Sequence, residues 1–104
     1  MKHIMLVCNA GMSTSMLMTK MSKAAAEKGI EAEIWAVPVS EVDSEVKSKT
    51  IDALLVGPQV KFMLNEFKEN YEPDIKVDAI NMMDYGTMNG EKVLNFALEL
   101  MGES

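Results

Sequence analysis

Apolar residues in this chain come in short blocks whose period switches between strand and helix. His3–Cys8 (HIMLVC) is a near-continuous apolar run with β-branched members, the pattern of a strand buried on both faces. The small residues Asn9–Ser13 then predict a loop. Thr14–Lys28 predicts a helix with Leu17, Met21, Ala24, Ala25 and Lys28 on one stripe, and Gly29 just past its end. Glu31–Val37 (EAEIWAV) reads as a second, more polar strand stopped by Pro38. Ser40–Lys49 reads as a short exposed helix, with Ser40 as N-cap and acids in the first turn. Ile51–Val56 is a third strand, again mostly apolar. Gly57-Pro58 follows it, with Pro58 suited to the first turn of a helix whose inner stripe is Val60, Met63, Leu64 and Phe67. Lys76–Ile80 alternates polar and apolar, as a half-buried or edge strand does. Asn81–Gly90 is expected to be a loop with room for one turn of helix. Glu91–Met101 is the last helix, with Val93, Leu94, Ala97, Leu100 and Met101 facing inward.

Strands alternating with helices in this way imply an α/β three-layer sandwich, a parallel sheet with helices on both faces. The apolar first and third strands belong at its centre and the polar second and fourth at its edges. The expected order is therefore 2-1-3-4, with right-handed crossovers. In that order the connections diverge at the carboxyl ends of strands one and three, the switch point where open α/β sheets bind ligands. Cys8 and the loop after it fall there.

Length and composition narrow the function. A chain of 104 residues without repeat or linker fits a single domain spanning 1–104. The net charge of −6, with every basic residue a Lys, argues against a nucleic-acid partner. No apolar run approaches the roughly 20 residues of a membrane span, and no signal-peptide core follows Met1, so no direct membrane insertion is expected. The lone Cys forms no internal disulfide, which suits the cytoplasm.

One segment carries chemistry: Cys8, Asn9, Ala10, Gly11, Met12, Ser13, Thr14 and Ser15. A thiol at a strand end is followed by small residues and then by a helix start. The first turn of a helix has unpaired amides and roughly half a positive charge. A loop wrapping such amides around one point forms an anion nest, to which Ser13, Thr14 and Ser15 add hydroxyls. Such a field favours the thiolate, the nucleophilic form of a cysteine. A thiolate facing a phosphate cradle can attack phosphorus and hold the phosphoryl group. The alternative is an inert, buried Cys8, common for free cysteines. Its place at the switch point, ahead of this loop, favours the reactive reading.

Other chemistries lack their residues. His3, the sole histidine, lies five residues from Cys8 on the same strand, about 16 Å away. No metal-ligand spacing, nucleotide P-loop or dinucleotide fingerprint occurs, so no cofactor is expected. The loops after strands three and four, with Gly57, Pro58, Gln59, Asp84 and Tyr85, are expected to flank the phosphate loop as a rim for partners. Most methionines fall on stripes or strands and read as core filler; Met12 is the exception, a candidate exposed contact.

The string from His3 to Leu17 (HIMLVCNAGMSTSML) resembles the phosphorylation-site motif of enzyme IIB of the lactose/cellobiose (chitobiose) family of the bacterial sugar phosphotransferase system. The likeness continues through Leu54–Val60 and from Asp84-Tyr85-Gly86 to Gly90. It implies a phosphotransferase in which Cys8 takes a phosphoryl group from a phosphohistidine of the IIA partner. Cys8 would then pass it to a sugar such as cellobiose, chitobiose or lactose at the membrane IIC transporter. The family is also similar in fold and loop position to low-molecular-weight tyrosine phosphatases. Those place Arg six residues after their cysteine; here Thr14 stands there, and the chain contains no Arg.

Overall fold

The computed structural model describes residues 1–8 and 12–102, the side chains of 12–14 excepted. Four strands, β1 (Lys2–Cys8), β2 (Ala32–Pro38), β3 (Ala53–Val56) and β4 (Lys76–Ala79), form one sheet in the order β2-β1-β3-β4. All three pairings are parallel. The order expected from polarity is the order observed, and the reason is visible in burial. Ile4–Cys8 and all of β3 are buried, while β2 and β4 each keep exposed or half-buried positions.

Helices cover both faces. On one lie α1 (Met12–Glu27) and α5 (Gly90–Leu100), whose Leu17, Met21, Leu94 and Ala97 pack on Ile4, Leu6 and Leu55. On the other lie α2 (Val42–Ser48) and α3 (Leu64–Tyr71), whose Val42 and Phe67 pack on Met5, Val7, Leu54 and Val56. Alternation along β1 thus sends Ile4 and Leu6 into one core and Met5 and Val7 into the other. Each large apolar side chain so buried stabilises the fold by about 1.5–3 kcal/mol.

The helix ends show where local signals hold. Past α1 the Ile30 amide donates to the Ala25 carbonyl (2.9 Å) and the Gly29 amide to the Ala26 carbonyl (3.1 Å), the paired closure expected around Gly29. Asn89 caps α5 by accepting from the Lys92 amide at 3.1 Å.

Three expectations change. Helix α1 begins at Met12, two residues earlier than Thr14. Ser40 is not an N-cap: Val39–Glu41 form a 3₁₀ turn directly after extended Pro38, and α2 starts at Val42 without a side-chain cap. Burial of Val42 sets the phase of that helix, and a surface serine does not compete with it. The helix after β3 is split: Pro58–Met63 are 3₁₀, broken at Val60 (φ −120°, ψ 22°), before α3 begins.

Gly90 fixes how closely α5 approaches α1. A Cβ there would lie 2.5–2.6 Å from backbone and Cβ atoms of Lys20 and Met21, so one helix must move to admit it. Gly90→Ala is expected to cost roughly 1–3 kcal/mol through overpacking despite its better helix propensity. Equilibrium urea unfolding checks this: an unchanged or higher midpoint would show that the helices separate freely.

Candidate functional site

Cys8 is the last residue of β1 and stands opposite Pro38 of β2 in the ladder. Its parity with Ile4 and Leu6 directs the side chain toward the α1 face. Burial leaves it 6% exposed. On the β3 side the chain continues past Val56 to Gly57, whose amide donates to the Val7 carbonyl at 2.8 Å and extends the β1–β3 ladder by one bond. Gly57 has ordinary extended dihedrals (φ −66°, ψ 154°), so turn geometry does not require glycine there. Space is tight there: a Cβ on Gly57 would crowd the Val7 carbonyl oxygen at 3.1 Å and make ordinary contact with the Cys8 Cβ at 3.8 Å. Gly57 is thus a wall of the thiol's surroundings, a role its helix-start reading did not show.

Residues Asn9, Ala10 and Gly11 of the expected phosphate loop lie outside the described residues, as do the side chains of Met12, Ser13 and Thr14. The backbone of α1 from Met12 onward is described, and its first turn follows Cys8 after three residues. Ser15 is exposed in that turn, and its carbonyl accepts from the Thr19 hydroxyl at 3.1 Å. The 16-residue helix directs its N-terminal amides toward the end of the sheet where β1 stops.

The rim residues divide. Gln59 is exposed, Pro58 and Asp84 are half-buried, and Gly57 and Tyr85 are buried. Tyr85, 8% exposed, packs in the α1–α5 core. It belongs to α4 (Met82–Gly86), which starts under an Asn81 cap: the Asn81 Oδ1 accepts from the amides of Met83 (2.9 Å) and Asp84 (3.1 Å). The backbone carbonyl of Asp84 accepts from the Asn89 amide at 2.9 Å, joining α4 to the start of α5.

His3 sits at the opposite end of β1, where Asp52 accepts from its amide at 2.8 Å and lies 3.3 Å from its Nδ1. Among the described residues no group of three or more His, Cys, Asp or Glu side chains could hold a metal ion. No helix among them is long and apolar enough to cross a membrane.

The core-filler reading holds for Met5 and Met21, which are fully buried, and fails for terminal Met1 and for three methionines on helices. Met16, Met82 and Met83 are 54%, 74% and 75% exposed, and Phe62 is 80% exposed. Helical spacing carries part of this signal. Met16 and Phe62 fall outside the inner stripes given for their helices, and Met82 and Met83 fall in the segment expected to be a loop, where no stripe was assigned.

Gly57→Val puts branched carbons against the Val7 carbonyl and Cys8. It is expected to slow alkylation of Cys8 by iodoacetamide several-fold and to destabilise the fold by about 1–3 kcal/mol. Thiol labelling followed by mass spectrometry reads the first effect and thermal unfolding the second; wild-type values in both would remove Gly57 from the site.

Comparison with known proteins agrees on one family. The model of the lactose/cellobiose-specific IIB subunit of the PTS system matches residues 3–96. The chain is 45% identical over 102 residues to the oligo-beta-mannoside-specific EIIB component of the PTS system of Bacillus subtilis, covering 97% of each chain. It is 47% identical over 104 residues to the galactose-specific EIIB component of Lactococcus lactis subsp. cremoris, covering 96% of each. Its fold is similar to the solution structure of the cellobiose-specific phosphotransferase IIB component of Borrelia burgdorferi, with a TM-score of 0.78 and 41% identity over 99% of this chain and 94% of that one. With the matched residues running from the start of β1 into α5, the chain belongs to the lactose/cellobiose-specific IIB subunits of the phosphotransferase system.

Proposed function

We propose that Cys8 is the covalent phosphoryl site of a cytoplasmic IIB carrier that meets the membrane only through its IIC partner. The observation that carries this reading is the position of Cys8: a thiol at the carboxyl end of a central parallel strand, three residues before a long helix, at the switch point of the sheet. The thiolate sulfur attacks the phosphorus of a phosphohistidine on the IIA partner. The S–P bond forms as the P–N bond breaks, and the imidazole nitrogen keeps the electron pair. In the second half-reaction a hydroxyl oxygen of the sugar held by IIC attacks the same phosphorus. The thiolate leaves, and the sugar's proton passes to a base on the acceptor side.

Two features of the chain suit a carrier. Burial of the thiol to 6% limits water at the sulfur, so the phosphoryl group can outlast the interval between partners. The chain also has no Arg to grip phosphate oxygens and spread charge in a hydrolytic transition state. The phosphocysteine adds close to two negative charges, as other phosphorylated side chains do. On this reading the offset comes from the α1 dipole and from backbone amides of the segment 9–15. The acceptor sugar is a β-linked disaccharide of the cellobiose, chitobiose or lactose type. The relatives named above are specific for different sugars, which suits selection of the sugar by IIC.

Incubation with phosphoenolpyruvate, the general phosphotransferase components and a IIA partner is expected to add the mass of one phosphoryl group, and Cys8→Ser is expected to abolish that product. Uptake that persists in Cys8→Ser would end this assignment. Wild-type protein is expected to turn over no aryl phosphate. Thr14→Arg, which supplies the missing guanidinium, is expected to gain measurable hydrolysis; steady-state phosphatase assay of both proteins checks the Arg argument separately from the carrier role.

A further inference from the structure

Four of the large apolar side chains that the fold leaves in solvent cluster by position. Met16 lies early in α1, just after β1. Phe62 lies in the 3₁₀ segment after β3, and Met82 and Met83 open α4 just after β4. All four therefore stand on segments that leave the carboxyl end of the sheet, the end where β1 delivers Cys8. None belongs to either core cluster. Exposed apolar groups concentrated at one end mark an interaction surface.

Charge is arranged with them. Of the chain's 16 Asp and Glu residues, segments 12–22, 57–65 and 79–90 hold one, Asp84, while Lys20 and Lys61 lie in the same segments. The segment after β2 differs: it holds Glu41, Asp43 and Glu45, the last two paired with Lys47 and Lys49. The end of the sheet thus has an apolar, acid-poor side over β1, β3 and β4 and a more charged side beyond β2. An approaching phosphoryl group is an anion, and a surface nearly free of carboxylates admits it without repulsion.

We infer that Met16, Phe62, Met82 and Met83 form the docking surface for the phosphodonor, a protein with an apolar face around its phosphohistidine. This surface rests on the carrier reading of Cys8. It seats the donor on the β1–β3–β4 side, with the reacting phosphorus brought to the sulfur at its margin. Unbranched methionines adapt to a partner's shape at low cost, which suits an encounter that must also dissolve.

The test is phosphoryl transfer from the phosphorylated IIA component, followed against its concentration, with thermal unfolding as a control for folding. Met82→Asp/Met83→Asp and Phe62→Asp each are expected to raise the KM for phosphorylated IIA by about tenfold or more, as loss of an interface hot spot does. Iodoacetamide should alkylate Cys8 in these variants at the wild-type rate, and Met82→Leu/Met83→Leu should retain near-wild-type KM. Wild-type KM in the Asp variants overturns the docking surface while leaving Cys8 as carrier. Wild-type self-association that the Asp variants abolish, with KM unchanged, gives the surface to a second copy of the chain and overturns it equally. Wild-type protein that accepts no phosphoryl group removes the donor as occupant, and the carrier reading falls with it.

Discussion

Two apolar strands lying side by side impose most of this architecture. β1 and β3 pair from Ile4–Ala53 to Val7–Val56, and every residue in that register is buried. Neither strand tolerates solvent on either face, so helices must cover both, and the more polar β2 and β4 are left for the edges. Connections from two adjacent central strands then part to opposite sides. The gap they open at the carboxyl end is where the last residue of β1 stands. The location of Cys8 follows from where apolar surface has to be hidden.

Packing also sets the close quarters of the thiol. The β1–β3 ladder runs one bond past the strands, from the Gly57 amide to the Val7 carbonyl, and this draws Gly57 alongside Cys8. Midway along α1 the start of α5 presses on the Lys20–Met21 backbone, where Gly90 leaves room. The helix whose amides face the site is therefore held by Leu17 and Met21 in the core and by α5 across Gly90. A dianion on sulfur would need amides that stay in place, because side-chain cations are scarce in this part of the chain: no Lys or Arg lies between Lys2 and Lys20.

The separation of apolar and acidic groups at the sheet end bears on specificity. On the proposed carrier role, donor and acceptor would both meet the protein at the carboxyl end of the sheet, where β1 delivers Cys8. A surface of methionines and one phenylalanine makes few directional demands, and the near absence of carboxylates there avoids repelling either phosphorylated state. The acids removed from that side appear elsewhere as solvated or locally paired groups, such as the Asp43–Lys47 pair at 2.9 Å and the Glu45–Lys49 pair at 3.1 Å on α2.

The sequence by itself determined the strand order, the two-sided helix cover, the Gly29 helix end and the placement of Cys8. Each rests on apolar periodicity or on a local backbone preference, both of which are written along the chain. Met16 and Phe62 were legible as positions off the inner stripes, whereas the exposure of Met82 and Met83 on α4 came from the structure. Tertiary structure alone decided the rest. Ser40 lost the helix start to the burial of Val42, Tyr85 went into the α1–α5 core, Gly57 came up beside Cys8, and Gly90 proved to be a glycine because of what stands opposite it. Those outcomes depend on close approach between segments remote in sequence, and no local pattern encodes a distance across the fold.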